Sequence, residues 1–136
     1  MKDYLHTVLP PEQLRQMNLL ALAHVGDGVY ELLVRTLLCA SGTSTAKKLH
    51  FDTVQRVCAS AQARASTRIL PVLTEEESDI FRRGRNAKVH SVPKAAALGD
   101  YHAATALEAL FGYLYLSGQT ERINELFALT QEPAEA

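Results

Sequence analysis

The chain has 136 residues, the size of one ordinary domain. With 47% hydrophobic and 21% charged residues and few glycines or prolines, it falls outside the disordered, collagen-like and low-complexity classes. Its 14 Lys+Arg against 15 Asp+Glu leave it near neutral, which taken alone argues against a nucleic-acid binder. Two cysteines, Cys39 and Cys58, are too few for a disulfide framework or a Cys-based zinc site, so free thiols in a reducing cytosol are expected.

The N-terminus MKDYLHTVLPPEQL carries acids and two early prolines and does not read as a signal peptide. From there the pattern is helical nearly throughout. Breakers at Pro10-Pro11, Ser41-Gly42, Pro71, Gly84, Pro93, Gly99 and Ser117-Gly118 divide it into predicted helices over 11–16, 18–40, 44–65, 74–86, 100–116 and 119–130. Thr74-Glu-Glu-Glu77 matches a capping box, with Thr74 capping the amides and Glu77 reaching back. The expectation is one all-α domain over 1–136 with a frayed QEPAEA tail. The apolar run Leu19 to Leu38 is long enough for a bilayer but is interrupted by His24, Asp27, Glu31 and Arg35, so a soluble cytoplasmic protein is expected.

The 18–40 and 100–116 segments are apolar on almost every side, which predicts burial on more than one face. Two such helices in so small a domain point to self-association. In the first, His24, Asp27, Glu31 and Arg35 follow spacings of three, four and four and share one stripe. An ordinary solvated stripe with a Glu31–Arg35 pair accounts for part of this. It does not account for Asp27 lying between Gly26 and Gly28. A mid-helix glycine costs about 1 kcal/mol relative to Ala. It is tolerated where a backbone or a ligand must approach closely.

In the second apolar helix Glu108 is the one interior charge. A carboxylate among Ala and Leu must be exposed, protonated, paired or bound to a cation. Asp27 and Glu108, one acid on each helix, would form a site for a hard divalent cation if the helices bring them together. Mg²⁺ accepts a few carboxylates with water completing its shell, and such a site suits phosphoryl transfer.

Resolved along the chain, the neutral total hides a basic middle. Residues 47–94 hold 10 basic and 5 acidic side chains, and residues 95–136 hold 1 and 6. Arg82, Arg83, Arg85 and Lys88 fall within seven residues, and Lys94 follows with no intervening acid. Favourable charge at a helix C-terminus explains two or three of these. Their continuation past Gly84 into an expected loop points to phosphate contacts. The histidines, including His24, form no metal motif, and no serine or cysteine lies in a nucleophile elbow.

Three blocks then resemble the ribonuclease III family in its Mini-III branch. They are Leu22-Ala-His-Val-Gly-Asp-Gly-Val-Tyr-Glu31, Arg83-Gly-Arg-Asn-Ala87, and Tyr101 through Tyr115 around Glu108. The resemblance spans roughly residues 15–130. It implies the all-helical catalytic domain fold of that family, without a separate double-stranded RNA-binding domain. It also implies a homodimer that cleaves double-stranded RNA with Mg²⁺ (Mn²⁺ substituting), leaving 5′-phosphate and 3′-hydroxyl ends. Maturation of a large-subunit (23S) ribosomal RNA precursor is the implied role, with a ribosomal protein or pre-ribosomal particle as a further partner.

Asp27 and Glu108 carry over as catalytic metal ligands; Arg82, Arg83, Arg85, Asn86, Lys88 and Lys94 are the RNA-binding candidates. Glu31, Thr105 and His24 are candidates for supporting the ligands. Ala23 and Thr105 stand where longer members carry further acids, which implies more water around the metal. The same departures leave room for an alternative, a non-catalytic dimeric RNA-binding or ribosome-associated module.

Overall fold

In the computed structural model, residues 1–42, 45–87 and 97–131 are described. They form seven α-helices and contain no β-strand. The helices are α1 (Pro11–Gln16), α2 (Leu19–Ala40), α3 (Ala46–Val57), α4 (Ala59–Ile69), α5 (Glu75–Asn86), α6 (Leu98–Leu116) and α7 (Thr120–Thr130), with a 3₁₀ turn at Leu70–Val72. The all-α expectation and most helix boundaries agree with this. Lys88 and Lys94, two of the expected RNA-binding residues, lie outside the described residues, as does the tail beyond Gln131.

The starts of the helices are written in their side chains. Asn18 accepts from the Leu20 amide at 2.7 Å and Thr45 from the Lys48 amide at 3.1 Å. The capping box is formed as expected: Thr74 Oγ1 accepts from Glu77 N at 3.1 Å, and Glu77 Oε1 accepts from Thr74 N at 2.9 Å. Glu77 does more than cap. It is buried, and both of its oxygens accept at 2.9 Å from Arg122 of α7, whose guanidinium also reaches the Val72 carbonyl at 2.8 Å. This ion pair pins α7 to the start of α5.

One expectation is corrected. The 44–65 segment is not a single helix. It breaks at Cys58, whose ψ of 159° is extended, and α4 then runs on to Ile69. The break lets α3 pack on α2 while α4 turns its Gln62–Ala65–Ser66–Ile69 face onto α6. The helix expected over 74–86 is α5, and Gly84, read among the breakers with a loop beyond it, lies inside that helix. A Cβ there would stand 3.0 Å from Ala109 Cβ and 3.1 Å from Ala106 Cα, so the glycine lets α5 settle directly on α6.

The central element is α6, and helices α2, α4, α5 and α7 surround it. Ala106, Leu107, Ala109, Leu110, Phe111 and Leu114 have no solvent exposure. Tyr30 of α2 meets Phe111 edge-on at 5.2 Å and Phe127 of α7 at 5.5 Å, joining three helices through one aromatic cluster. A smaller cluster of Leu14, Leu22, Ala23 and Leu116 seats α1, and the Leu9 amide donates to the Leu116 carbonyl at 2.8 Å.

The two apolar helices therefore differ. Burial on many sides holds for α6, whereas α2 buries Leu22, Ala23, Gly26, Tyr30 and Val34 and leaves Leu32 exposed on its other side. No described helix is long and apolar enough to cross a membrane.

Candidate active site

The site begins with two glycines. Helices α2 and α6 cross at Gly26 and Gly112 in backbone-to-backbone contact. A Cβ at Gly26 would fall 1.6 Å from the Glu108 carbonyl oxygen, and one at Gly112 would fall 1.9 Å from the Leu22 carbonyl oxygen. Only glycine permits this approach. Gly28 is different, since a Cβ there meets nothing within 4 Å. Close approach thus explains the first glycine flanking Asp27 and not the second.

The crossing brings Asp27 of α2 beside Glu108 of α6. Asp27 is exposed, whereas Glu108 is only partly accessible. Burial, followed by the hydrogen bond and charge of Asp27, pushes the Glu108 carboxyl up to about 8. At neutral pH the Glu108 carboxyl therefore tends to keep its proton. A third side chain completes the corner. Gln62, near the start of α4, is 2% exposed and turns its amide toward Glu108, where it favours the anion. Its Nε2 has no acceptor at full hydrogen-bonding distance. Sequence reading does not single out Gln62, although the 62, 65, 66, 69 spacing places this polar residue on the buried stripe of α4.

The candidate supporting residues are arranged as follows. Glu31, one turn beyond Asp27, is held by Arg35 at 3.2 Å on the half-exposed edge of α2. Thr105, one turn before Glu108, is buried and donates its hydroxyl to the Tyr101 carbonyl at 3.0 Å. His24 is exposed on the same α2 stripe as Asp27.

The described basic residues sit at the end of α5 rather than in a loop. Arg82, Arg83, Arg85 and Asn86 are all helical and exposed. Asp79 holds Arg82 at 2.5 Å and reaches Arg83 at 3.7 Å. This pairing takes part of the charge that the sequence assigns to the segment. Such exposed pairs are worth about 1 kcal/mol or less, so an arriving phosphate can displace them.

Among the described residues no group of three or more His, Cys, Asp or Glu is placed to hold a metal ion. The donor set is two carboxylates, Asp27 and Glu108, with the Gln62 amide behind them. It lacks the soft or imidazole ligands of a zinc site and fits a hard, oxygen-loving cation that keeps several waters. A buried carboxyl held against a second carboxylate is the electrostatic condition that such a cation relieves.

Comparison with known proteins places this chain in a family. The sequence pattern of the Ribonuclease III domain matches residues 20–119. The chain belongs to the ribonuclease III family. Its relatives there include the Mini-ribonuclease 3 of Symbiobacterium thermophilum, 48% identical over 79% of this chain and 82% of that protein. The Mini-ribonuclease 3 of a Thermoanaerobacter species is 42% identical over 94% of this chain and 90% of its own length. The expected membership of the Mini-III branch is thereby established, and with it a place among endoribonucleases. A crystal structure of a Fusobacterium nucleatum protein superimposes with a TM-score of 0.78 at 30% identity, covering 84% of this chain and 93% of that one. The ribonuclease III catalytic domain fold expected from sequence is the fold observed.

Proposed function

We propose that this ribonuclease III family member is an endoribonuclease that cuts double-stranded RNA with a divalent cation at Asp27 and Glu108. The observation that carries the proposal is the Gly26–Gly112 crossing, which sets the two acids side by side at the edge of an otherwise apolar helix pair. Magnesium, or manganese in its place, would be held by these two carboxylates and would supply Lewis acidity and charge neutralisation at the phosphodiester. Asp27 is exposed on α2 and Glu108 is set deeper, so a substrate would meet the site from the Asp27 side. Hydrolysis in this sense leaves 5′-phosphate and 3′-hydroxyl ends.

Arg82, Arg83, Arg85 and Asn86 are placed to hold backbone phosphates, with Lys88 and Lys94 continuing the basic run in sequence. Backbone contacts of this kind read duplex shape rather than base sequence. The names of the relatives support RNA as the substrate, and a large-subunit ribosomal RNA precursor in the cytoplasm is the substrate we propose.

The active form we propose is a homodimer. Leu32 on the open side of α2 is 56% exposed, and Phe51 and Val54 on the adjoining α3 are 58% and 43% exposed. Large apolar side chains left exposed on two neighbouring helices are what a second subunit would cover.

The test is cleavage of a long RNA duplex by the wild type and by Asp27→Asn and Glu108→Gln, with Mg²⁺ and with a chelator. Loss of cleavage in both variants and in chelator, with duplex binding retained, is the expected result. Cleavage that survives in either variant removes that residue from the site. Duplex binding without cleavage by the wild type at any Mg²⁺ or Mn²⁺ concentration favours the non-catalytic RNA-binding alternative.

A further inference from the structure

Gln62 occupies a position where physics favours an apolar side chain. It shares the buried face of α4 with Ala65, Ser66 and Ile69, and that face packs on the central helix α6. The other polar residue on the face, Ser66, is satisfied locally: its hydroxyl donates to the Ala63 carbonyl at 2.7 Å. Gln62 is not satisfied in this way. Its Nε2 is buried without a partner at hydrogen-bonding distance. A buried donor left in that state costs about 1–3 kcal/mol. A leucine or methionine at this position would avoid the cost.

The direction of the side chain gives the reason for the glutamine. Its amide is turned toward the Glu108 carboxyl from α4, whereas Asp27 approaches the same carboxyl from α2. A carboxylate at 62 would add a third negative group to the corner; the amide is close to it in shape and presents N–H donors instead. An N–H aimed at a ligand carboxylate restricts its rotation and leaves the other oxygen to face the cation. Outer partners that orient metal ligands in this manner are part of the site's affinity.

We propose that Gln62 is a positioning residue of the cation site, holding the Glu108 carboxylate through its buried Nε2 so that the opposite oxygen is presented beside Asp27. This rests on the Asp27–Glu108 reading above. The buried donor is then explained as an outer support for a ligand carboxylate, on a face where nothing else calls for a polar side chain. Gln62 touches neither substrate nor cation, and its effect passes through Glu108.

The experiment measures Mn²⁺ binding to the full chain by paramagnetic resonance of the free ion, alongside thermal unfolding. The proteins are the wild type, Asp27→Asn, Gln62→Met and Ser66→Ala. Gln62→Met keeps the length and volume of the side chain and removes the donor. It should weaken Mn²⁺ binding by about tenfold or more, while its melting temperature is equal to or above that of the wild type. Ser66→Ala alters the same packed face and should leave Mn²⁺ affinity unchanged.

Unchanged affinity in Gln62→Met, with binding lost in Asp27→Asn, overturns the inference and spares the site. Equal weakening by Ser66→Ala shows a packing effect and also overturns it. Wild-type Mn²⁺ binding that Asp27→Asn leaves intact overturns the parent reading and this inference with it. If Gln62→Met does not fold, the wild type crystallised with Mn²⁺ decides. Gln62 Nε2 should then donate to a Glu108 carboxylate oxygen at about 3 Å; an Nε2 bonded elsewhere contradicts the proposal.

Discussion

The Gly26 backbone rests directly on the Glu108 carbonyl, so close that a methyl group at 26 would overlap it at 1.6 Å. The contact that joins the two helices is thus also the contact that sets the distance between the two acids. Packing and chemistry share one crossing point, and substitutions around it should separate along that line.

Gly26→Ala forces α2 and α6 apart and should destabilise the protein by about 3 kcal/mol or more, the upper end of overpacking costs. Gly28→Ala, two residues away, meets open space. It should raise stability by about 0.5–1 kcal/mol through helix propensity. Denaturant unfolding of the two variants checks the contrast; equal destabilisation by both would mean that the crossing is not the reason for Gly26.

The acid pair gives the metal-free protein a characteristic pH response. Glu108 holds its proton up to about pH 8 in the fold, against an ordinary value of 4.5 in the unfolded chain. Between these values the native state binds more protons than the unfolded state, so stability falls as pH rises. The loss from pH 5 to pH 8 in chelator should reach up to about 4 kcal/mol. Glu108→Gln should flatten this slope. Parallel slopes for the variant and the wild type would mean that Glu108 ionises normally.

The Glu77–Arg122 pair acts in the opposite sense and in a different range. Burial alone would raise the Glu77 carboxyl, but the hydrogen bonds and charge of Arg122 outweigh it and hold it below 4.5. Its stabilisation is therefore present above about pH 4.5 and lost as pH falls further. Arg122→Met leaves a buried carboxylate without its partner and should cost about 3 kcal/mol at neutral pH. Denaturant melts at pH 7 and pH 3 test this: the gap between wild type and variant should narrow at pH 3.

Arg82, Arg83 and Arg85 should act on affinity and not on folding. Their triple replacement by Gln should leave the melting temperature within a few degrees and weaken duplex RNA binding. The salt dependence of binding should flatten by roughly one unit of log-log slope for each phosphate that is no longer neutralised. An unchanged slope removes the end of α5 from the RNA surface.

Much of this corner is legible in the sequence. Asp27 and Glu108 stand out because a charge inside an apolar helix demands a compensating arrangement, and the glycines around Asp27 announce a close approach. What the sequence does not carry is which glycine makes the contact, since Gly26 and Gly28 look alike until a partner backbone is placed against one of them. The break at Cys58 is equally silent, because neither glycine nor proline marks it. It follows from the competing demands of α2 on α3 and of α6 on α4. Gln62 is hidden for a related reason: the spacing of 62, 65, 66 and 69 marks one face of a helix, but with Gln and Ser on it nothing in the sequence says that this face is the buried one. The pairing of Arg82 and Arg83 with Asp79 is likewise a matter of side-chain geometry, three and four residues apart along α5.

The most direct measurement of the central claim is an anomalous-scattering map from crystals grown with Mn²⁺. The predicted result is a peak between the Asp27 and Glu108 carboxylates, within coordination distance of both. A map at saturating Mn²⁺ with no peak at this pair, or with one bound elsewhere on the chain, would contradict it.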